Sequence, residues 1–248
     1  GHPPMRAAAN VSLFWLPLHH SNTHGARIDA RREARRVGVH SIHKDSALHS
    51  LVQGFLASRG AEFVYLDPGT LFHYAGGRIT TPQQTDAVYT QLSTLDVGLA
   101  KQSGCVTEWW FCSRWKTGQR LANLLSVGIP TVVWTDAQGH RDVVEGLWPP
   151  SGAAEDVRYP QELLVSSDEE VPAALEALLG NETLRLEASA AGLRLAERYS
   201  LRRIAARLVR LLERLRLRRG PRPLTAGRRR WSPRVCPPPW APAQEERG

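Results

Sequence analysis

Short β-branched runs alternate with helical runs over about 130 residues, and this pattern limits the possible folds more than any other feature. The run Ile129–Trp134 is rich in β-branched residues, which suits a strand buried on both faces. We predict five strands, at Arg36–Ile42, Glu62–Leu66, Leu95–Ala100, Ile129–Trp134 and Leu163–Ser166. The alternation predicts an α/β fold, a Rossmann-like parallel sheet with helices on both faces.

The C-terminal third is predicted to be helical, ending in a helix capped by Ser200 with leucines on one face and arginines on the other. Beyond Gly220 the chain is rich in Pro and Arg without periodicity, which is typical of disorder. We therefore divide the chain into an N-terminal arm or remnant of a preceding domain (1–35), a Rossmann-like domain (36–217) and a disordered basic tail (218–248).

The net charge of +8 is concentrated in the tail, because residues 218–248 contain eight Arg and two Glu. The nearly neutral body argues against nucleic acid as a partner, and binding of an anion by the tail is the alternative. No apolar run reaches the roughly 20 residues of a transmembrane helix, and we expect a cytoplasmic location. The three Cys have neither the spacing of a zinc site nor that of a disulfide framework, so we expect no bound metal.

The segment from Lys116 to Val133 has the features of a diphosphate site. Lys116 precedes a helix predicted over Thr117–Val127, and Arg120 lies four residues later on the same face of its first turns. Two cations beside the positive end of a helix dipole suit a diphosphate. Lys44, in a strand-to-helix loop, is a further candidate for the phosphates. The alternatives are a solvated helix face for the first two and an ordinary capped turn for Lys44.

This segment resembles the donor-site motif in the C-terminal, nucleotide-sugar-binding domain of GT-B glycosyltransferases of the group 1 type. In many of them the helix reads Lys-Pro-x-x-Lys-Leu-x-Glu-Tyr-x-Ala-x-Gly-x-Pro-Val-Val. Thr117 replaces the Pro, and Asn123 stands where the family has a Glu that binds the ribose hydroxyls, so the resemblance implies that Asn123 contacts the ribose. The residues in register with the motif are Lys116, Arg120, Leu121, Gly128, Pro130, Val132 and Val133. The likeness covers roughly residues 37–215.

The resemblance implies transfer of a hexosyl group from a UDP- or GDP-sugar to a glycan, lipid or protein acceptor, without metal or cofactor. It puts Asp136 and His140 near the sugar, although a solvated loop is the alternative for both. No catalytic residue is assigned, because a second domain or subunit would supply the acceptor site. The second hypothesis is a non-catalytic binding or interaction protein that retains the donor-domain fold.

Overall fold

The computed structural model of the chain describes residues 27–40, 45–66, 89–101, 118–145 and 157–219. The predicted N-terminal arm up to residue 26 and the predicted disordered tail beyond residue 219 lie outside this part. Five described strands form one parallel sheet in the order β2-β1-β3-β4-β5. They are β1 (Arg36–His40), β2 (Glu62–Leu66), β3 (Val97–Ala100), β4 (Thr131–Trp134) and β5 (Leu164–Val165). The predicted α/β Rossmann-like parallel sheet is therefore confirmed.

Besides helical residues at 89–92 and two 3-10 helices, Gln161–Leu163 and Asp168–Glu170, six α-helices accompany the sheet in the described residues. They are α1 (Ser46–Ala57), α2 (Gln119–Val127), α3 (Gln138–Val144), α4 (Val171–Gly180), α5 (Glu182–Glu197) and α6 (Leu201–Arg219). From β1 the chain passes through α1 to β2, toward one edge strand of the sheet. From β3 it passes through α2 to β4, in the direction of the other edge strand. Because crossovers between parallel strands are right-handed, α1 and α2 cover opposite faces.

Strands β3 and β4 each begin two residues later than the sequence predicts, for local reasons. The backbone N–H of Leu95 donates to Leu92 in a turn, and the carboxylate of Asp96 accepts from the backbone N–H groups of Arg35 and Arg36. Ahead of β4, Ile129 donates its N–H to Leu124 at the end of α2. Pro130 has no N–H to donate to a neighbouring strand.

Helix α2 is almost completely buried. All residues from Leu121 to Val127 are buried. The helix ends at Gly128, whose φ of 87° places it in the left-handed region that glycine adopts without strain. The N–H of Gly128 donates to the carbonyls of Leu124 and Leu125, which closes the helix and directs the chain into β4.

A buried tyrosine satisfies the backbone at the start of β4. The hydroxyl of Tyr159 accepts from the N–H of Thr131 at 2.8 Å and donates to the carbonyl of the same residue at 3.0 Å. Burial raises the pKa of Tyr159 far above its usual value, so the hydroxyl keeps its proton. This side chain therefore provides both partners of a backbone position that has no access to water.

Contacts divide the chain into two units, residues 1–210 and 211–248. The first contains the sheet, and the second is described only through the last turns of α6. None of the helices in the described ranges is long and apolar enough to cross a membrane.

Replacing Tyr159 with Phe should lower the free energy of unfolding by about 2–4 kcal/mol, because two buried backbone groups lose their partner. Urea denaturation measures the loss. The control is Ser58→Ala, which removes an exposed hydroxyl that donates to the Phe55 carbonyl and should change stability by less than about 0.5 kcal/mol. A loss no larger than that of the control would contradict the role given to Tyr159.

Candidate functional site

The candidate site lies at the carboxyl edge of the sheet, where open α/β folds bind their ligands. The connections from β1 and β3 diverge to opposite sides, so the switch in strand order falls between these two strands. Four polar residues follow the strands that meet at this edge. They are Asp45 after β1, Lys101 after β3, Asp136 after β4 and Asp168 after β5.

His140 is the buried polar centre of the part of the site next to β4. It lies on α3, and its Nδ1 bonds the carbonyl of Trp134, the last residue of β4, at 2.9 Å. Since a carbonyl only accepts, Nδ1 carries the proton. Burial lowers the pKa of His140, and the charge of Arg120 lowers it further, while the Trp134 carbonyl and the charge of Asp136 oppose this. His140 is therefore held neutral, with charges of both signs beside it.

Gly118 allows the start of α2 to approach α3 closely. A Cβ atom at this position would overlap the carbonyl oxygen of Gly139 and lie 2.6 Å from Cγ2 of Val143. The backbone carbonyl cannot rotate away as a side chain could. The glycine at this position therefore allows the start of α2 to pack against Gly139 and Val143 of α3.

A second polar group joins the ends of four strands through Lys101. The Nζ of Lys101 donates to Asp45 at 2.7 Å and to Asp168 at 2.6 Å. Asp168 also accepts from the indole N–H of the buried Trp134 at 2.9 Å. Asp45 in turn caps α1 by accepting from the N–H of Leu48 at 3.1 Å. We call these four residues, Asp45, Lys101, Trp134 and Asp168, the Lys101 network.

The charges of the Lys101 network are stabilised by one another. The hydrogen bond from Lys101 lowers the pKa of Asp45 below its usual value. Burial lowers the pKa of Lys101, but the hydrogen bonds to Asp168 and Asp45 outweigh it, so the net change is upward. The side chain of Lys101 is only 20% exposed. This partly buried cation links Asp45, at the start of α1, to Asp168, which follows β5.

Four of the predicted site residues lie in the part of the chain that the structure describes. The charges of Arg120 and Asp136 act on the pKa of His140 in opposite directions. Asn123 lies one turn further along α2 and is only 8% exposed, and its backbone carbonyl accepts from the hydroxyl of Ser126. Lys116 and Lys44 lie outside the described residues.

The sequence analysis did not identify Lys101, Asp168 or Trp134 as site residues. A positional signal for them exists, because Lys101 directly follows a buried strand and Trp134 ends the next one. Their pairing has no such signal, since Lys101 is 56 residues from Asp45 and 67 residues from Asp168 in sequence. Across the described ranges, no three His, Cys, Asp or Glu side chains converge on a metal position.

Replacing Gly118 with Ala should destabilise the protein by about 1–3 kcal/mol, since the added methyl group meets a rigid carbonyl. The matched control is Gly54→Ala in the middle of α1, where a Cβ meets nothing within 4 Å. That change should stabilise by about 0.5–1 kcal/mol through helix propensity. Thermal and urea unfolding measure both variants, and a shift of the same sign for the two would contradict the close packing of α2 on α3.

Replacing His140 with Asn should reduce the dependence of stability on pH between 7 and 5, because the Asn amide can still donate to Trp134 but does not titrate. The lowered pKa in the folded state means that, in the wild type, stability is fully present above the usual His pKa of about 6.5 and is lost as the pH falls. The slope from one such group is at most about 1.4 kcal/mol per pH unit. Urea unfolding at several pH values gives the free energy of unfolding of the wild type and of the variant. The same dependence of this free energy on pH in both proteins would refute the prediction.

Comparison with known proteins gives no family for the chain: no protein-family model matches it, and no curated protein matches it significantly. The functional proposal therefore rests on the fold and on the residues at the carboxyl edge of the sheet.

Proposed function

We propose that the chain binds a nucleotide-diphosphate sugar at the carboxyl edge of its sheet and acts as the donor-binding part of a glycosyltransferase. The observation that carries this proposal is the position of Arg120 on the first turn of α2, from which its charge acts on His140 of α3 together with the charge of Asp136. This position supports the resemblance of the segment from Lys116 to Val133 to the donor-site motif of GT-B glycosyltransferases.

The diphosphate would bind at the start of α2. A helix of nine residues presents the positive end of its dipole there, and Arg120 adds a full positive charge that can bond phosphate oxygens in pairs. Lys116, which precedes the helix in sequence, and Lys44 are assigned to the same phosphates. These cations would stabilise the charge that develops on the diphosphate as the bond to the sugar breaks.

The Lys101 network makes the edge of the sheet compatible with an anionic ligand. The carboxylates of Asp45 and Asp168 would repel a diphosphate if they stood alone. Because Lys101 bonds both of them, it cancels one of their two charges. The Trp134 indole adds a further donor to Asp168 and so holds its carboxylate in place.

The sugar would lie over the loop after β4. Asp136 is exposed and can accept hydrogen bonds from sugar hydroxyls. His140 is 3% exposed, so its role is to position the loop through the carbonyl of Trp134 and to set the charge balance between Arg120 and Asp136. The donor would be a UDP- or GDP-sugar, and the acceptor a glycan, lipid or protein bound by a further domain or subunit.

One observation favours the second candidate, a non-catalytic binding protein that retains the donor-domain fold. Asn123, assigned to the ribose, is 8% exposed and lies in the buried part of α2. A ribose contact there would need the ligand to reach into the helix packing. Binding of UDP without release of UDP from a UDP-hexose over many hours would identify this candidate.

Calorimetric titration should detect binding of at least one of UDP, GDP and ADP, and that nucleotide should bind more tightly than its nucleoside. Replacing Arg120 with Ala should weaken the diphosphate about 10- to 100-fold, the loss expected for charge-assisted hydrogen bonds, and should leave the nucleoside unchanged. The control is Arg59→Ala. It removes an exposed arginine just after α1 that pairs with Glu176.

Absence of binding to all three nucleotides by a folded sample would refute the proposal. Equal losses for nucleoside and diphosphate in the Arg120 variant would also count against it, because they would indicate damage to the fold instead of a lost phosphate contact.

A further inference from the structure

Helix α6 has a charge and an apolar pattern that no other described helix shares. Its 19 residues contain eight Arg and one Glu, a net charge of +7. Leu201, Ile204 and Leu208 recur at the three- and four-residue spacing that aligns them on one face. The arginines at 203, 207 and 210 fall on the opposite face.

The apolar face of α6 is largely exposed among the described residues. Among the side chains described from residue 201 to 215, only Ile204 is buried. The exposed fraction is 42% for Leu201, 40% for Leu208 and 52% for Val209. Leu212, one turn later, is 55% exposed.

The first turn of α6 is fixed to the rest of the first unit. Ile204 reaches into the apolar core, and the hydroxyl of Ser200 accepts from the N–H of Arg203 at the helix start. Arg203 also pairs with Glu197 at the end of α5. The direction of the exposed face is therefore set by packing.

We propose that α6 binds the surface of an anionic lipid bilayer, lying in the plane of the interface. The exposed leucines would enter the boundary between headgroups and acyl chains, and the arginines would contact lipid phosphates. An anionic bilayer surface suits both faces of the helix, because its headgroups carry the negative charge for the arginines and the adjacent acyl chains can receive the leucines. A nucleic acid duplex matches the charge alone and gives the exposed leucines nothing to contact. The proposal does not depend on nucleotide binding.

The test is co-sedimentation of the full-length chain with phosphatidylcholine vesicles that contain either no phosphatidylserine or about 30 mol% of it. Partitioning should be at least about tenfold stronger with phosphatidylserine and should fall steeply in 1 M salt, where the Debye length is about 3 Å. Replacing Leu208 with Glu should weaken it about tenfold or more, because an inserted leucine is lost.

Matched controls separate the helix from the remainder of the chain. Leu51→Glu changes a leucine on α1 that is 37% exposed and should leave partitioning unchanged. The pair Arg207→Gln and Arg210→Gln should weaken it roughly fivefold per arginine, while Arg31→Gln with Arg35→Gln, which removes the same charge elsewhere, should not. Circular dichroism and thermal unfolding confirm that each variant is folded.

Three outcomes would overturn the proposal. Unchanged partitioning of the Leu208 variant would mean that charge alone attracts the chain, as the basic residues beyond 219 could do. Equal losses in the Leu51 control would remove the assignment to α6. Binding of a DNA duplex that depends on Arg207 and Arg210, together with no preference for phosphatidylserine vesicles, would identify a nucleic acid as the partner.

Discussion

Strands β3 and β4 lie in the middle of the sheet with every residue buried, so both of their faces have to be covered. A parallel sheet meets this requirement by returning the chain through helices, and right-handed crossovers put α1 and α2 on opposite faces. Burial on both sides also leaves only the strand ends open to ligands. The carboxyl edge is therefore the place where polar side chains can gather, and Asp45, Lys101, Asp136 and Asp168 all follow strands at this edge.

The polar residues at that edge are organised by charges of opposite sign at short range. Lys101 donates to both Asp45 and Asp168, and the indole N–H of Trp134 also donates to Asp168. Breaking such a half-buried network by removing one partner costs several times more than breaking an exposed pair. His140 shows the complementary case, since burial lowers its pKa and keeps it neutral while the charges of Arg120 and Asp136 act on it with opposite sign. The edge thus combines fixed charges with a neutral buried donor.

Periodicity in the sequence predicts the elements well and their contacts poorly. The β-branched run before Trp134 predicts β4, and Gly128 correctly predicts the end of α2, because both signals are local. The predicted start of β4 is two residues too early, because the N–H of Ile129 bonds back to α2. Of the candidate site, the sequence predicts the position of Arg120 in the first turns of α2, because this too is a local signal. The Lys101 network is not predicted, because its members are brought together only by the strand order of the folded sheet.

Helices α5 and α6 show why an amphipathic pattern alone does not predict burial. Along α5, Gly192 lies against Leu125 of α2, with a Cβ position only 2.9 Å from that side chain, and Ala188 and Leu195 are fully buried. Small residues allow this helix to approach α2, so it is covered despite a weakly segregated sequence. In α6 the leucines and arginines are well separated, yet Leu208 is exposed because no described element lies against that face. Burial is decided by the partner that the fold supplies: Ile204 is buried at the start of α6, whereas Leu208, one turn further along the same face, is exposed within the described residues.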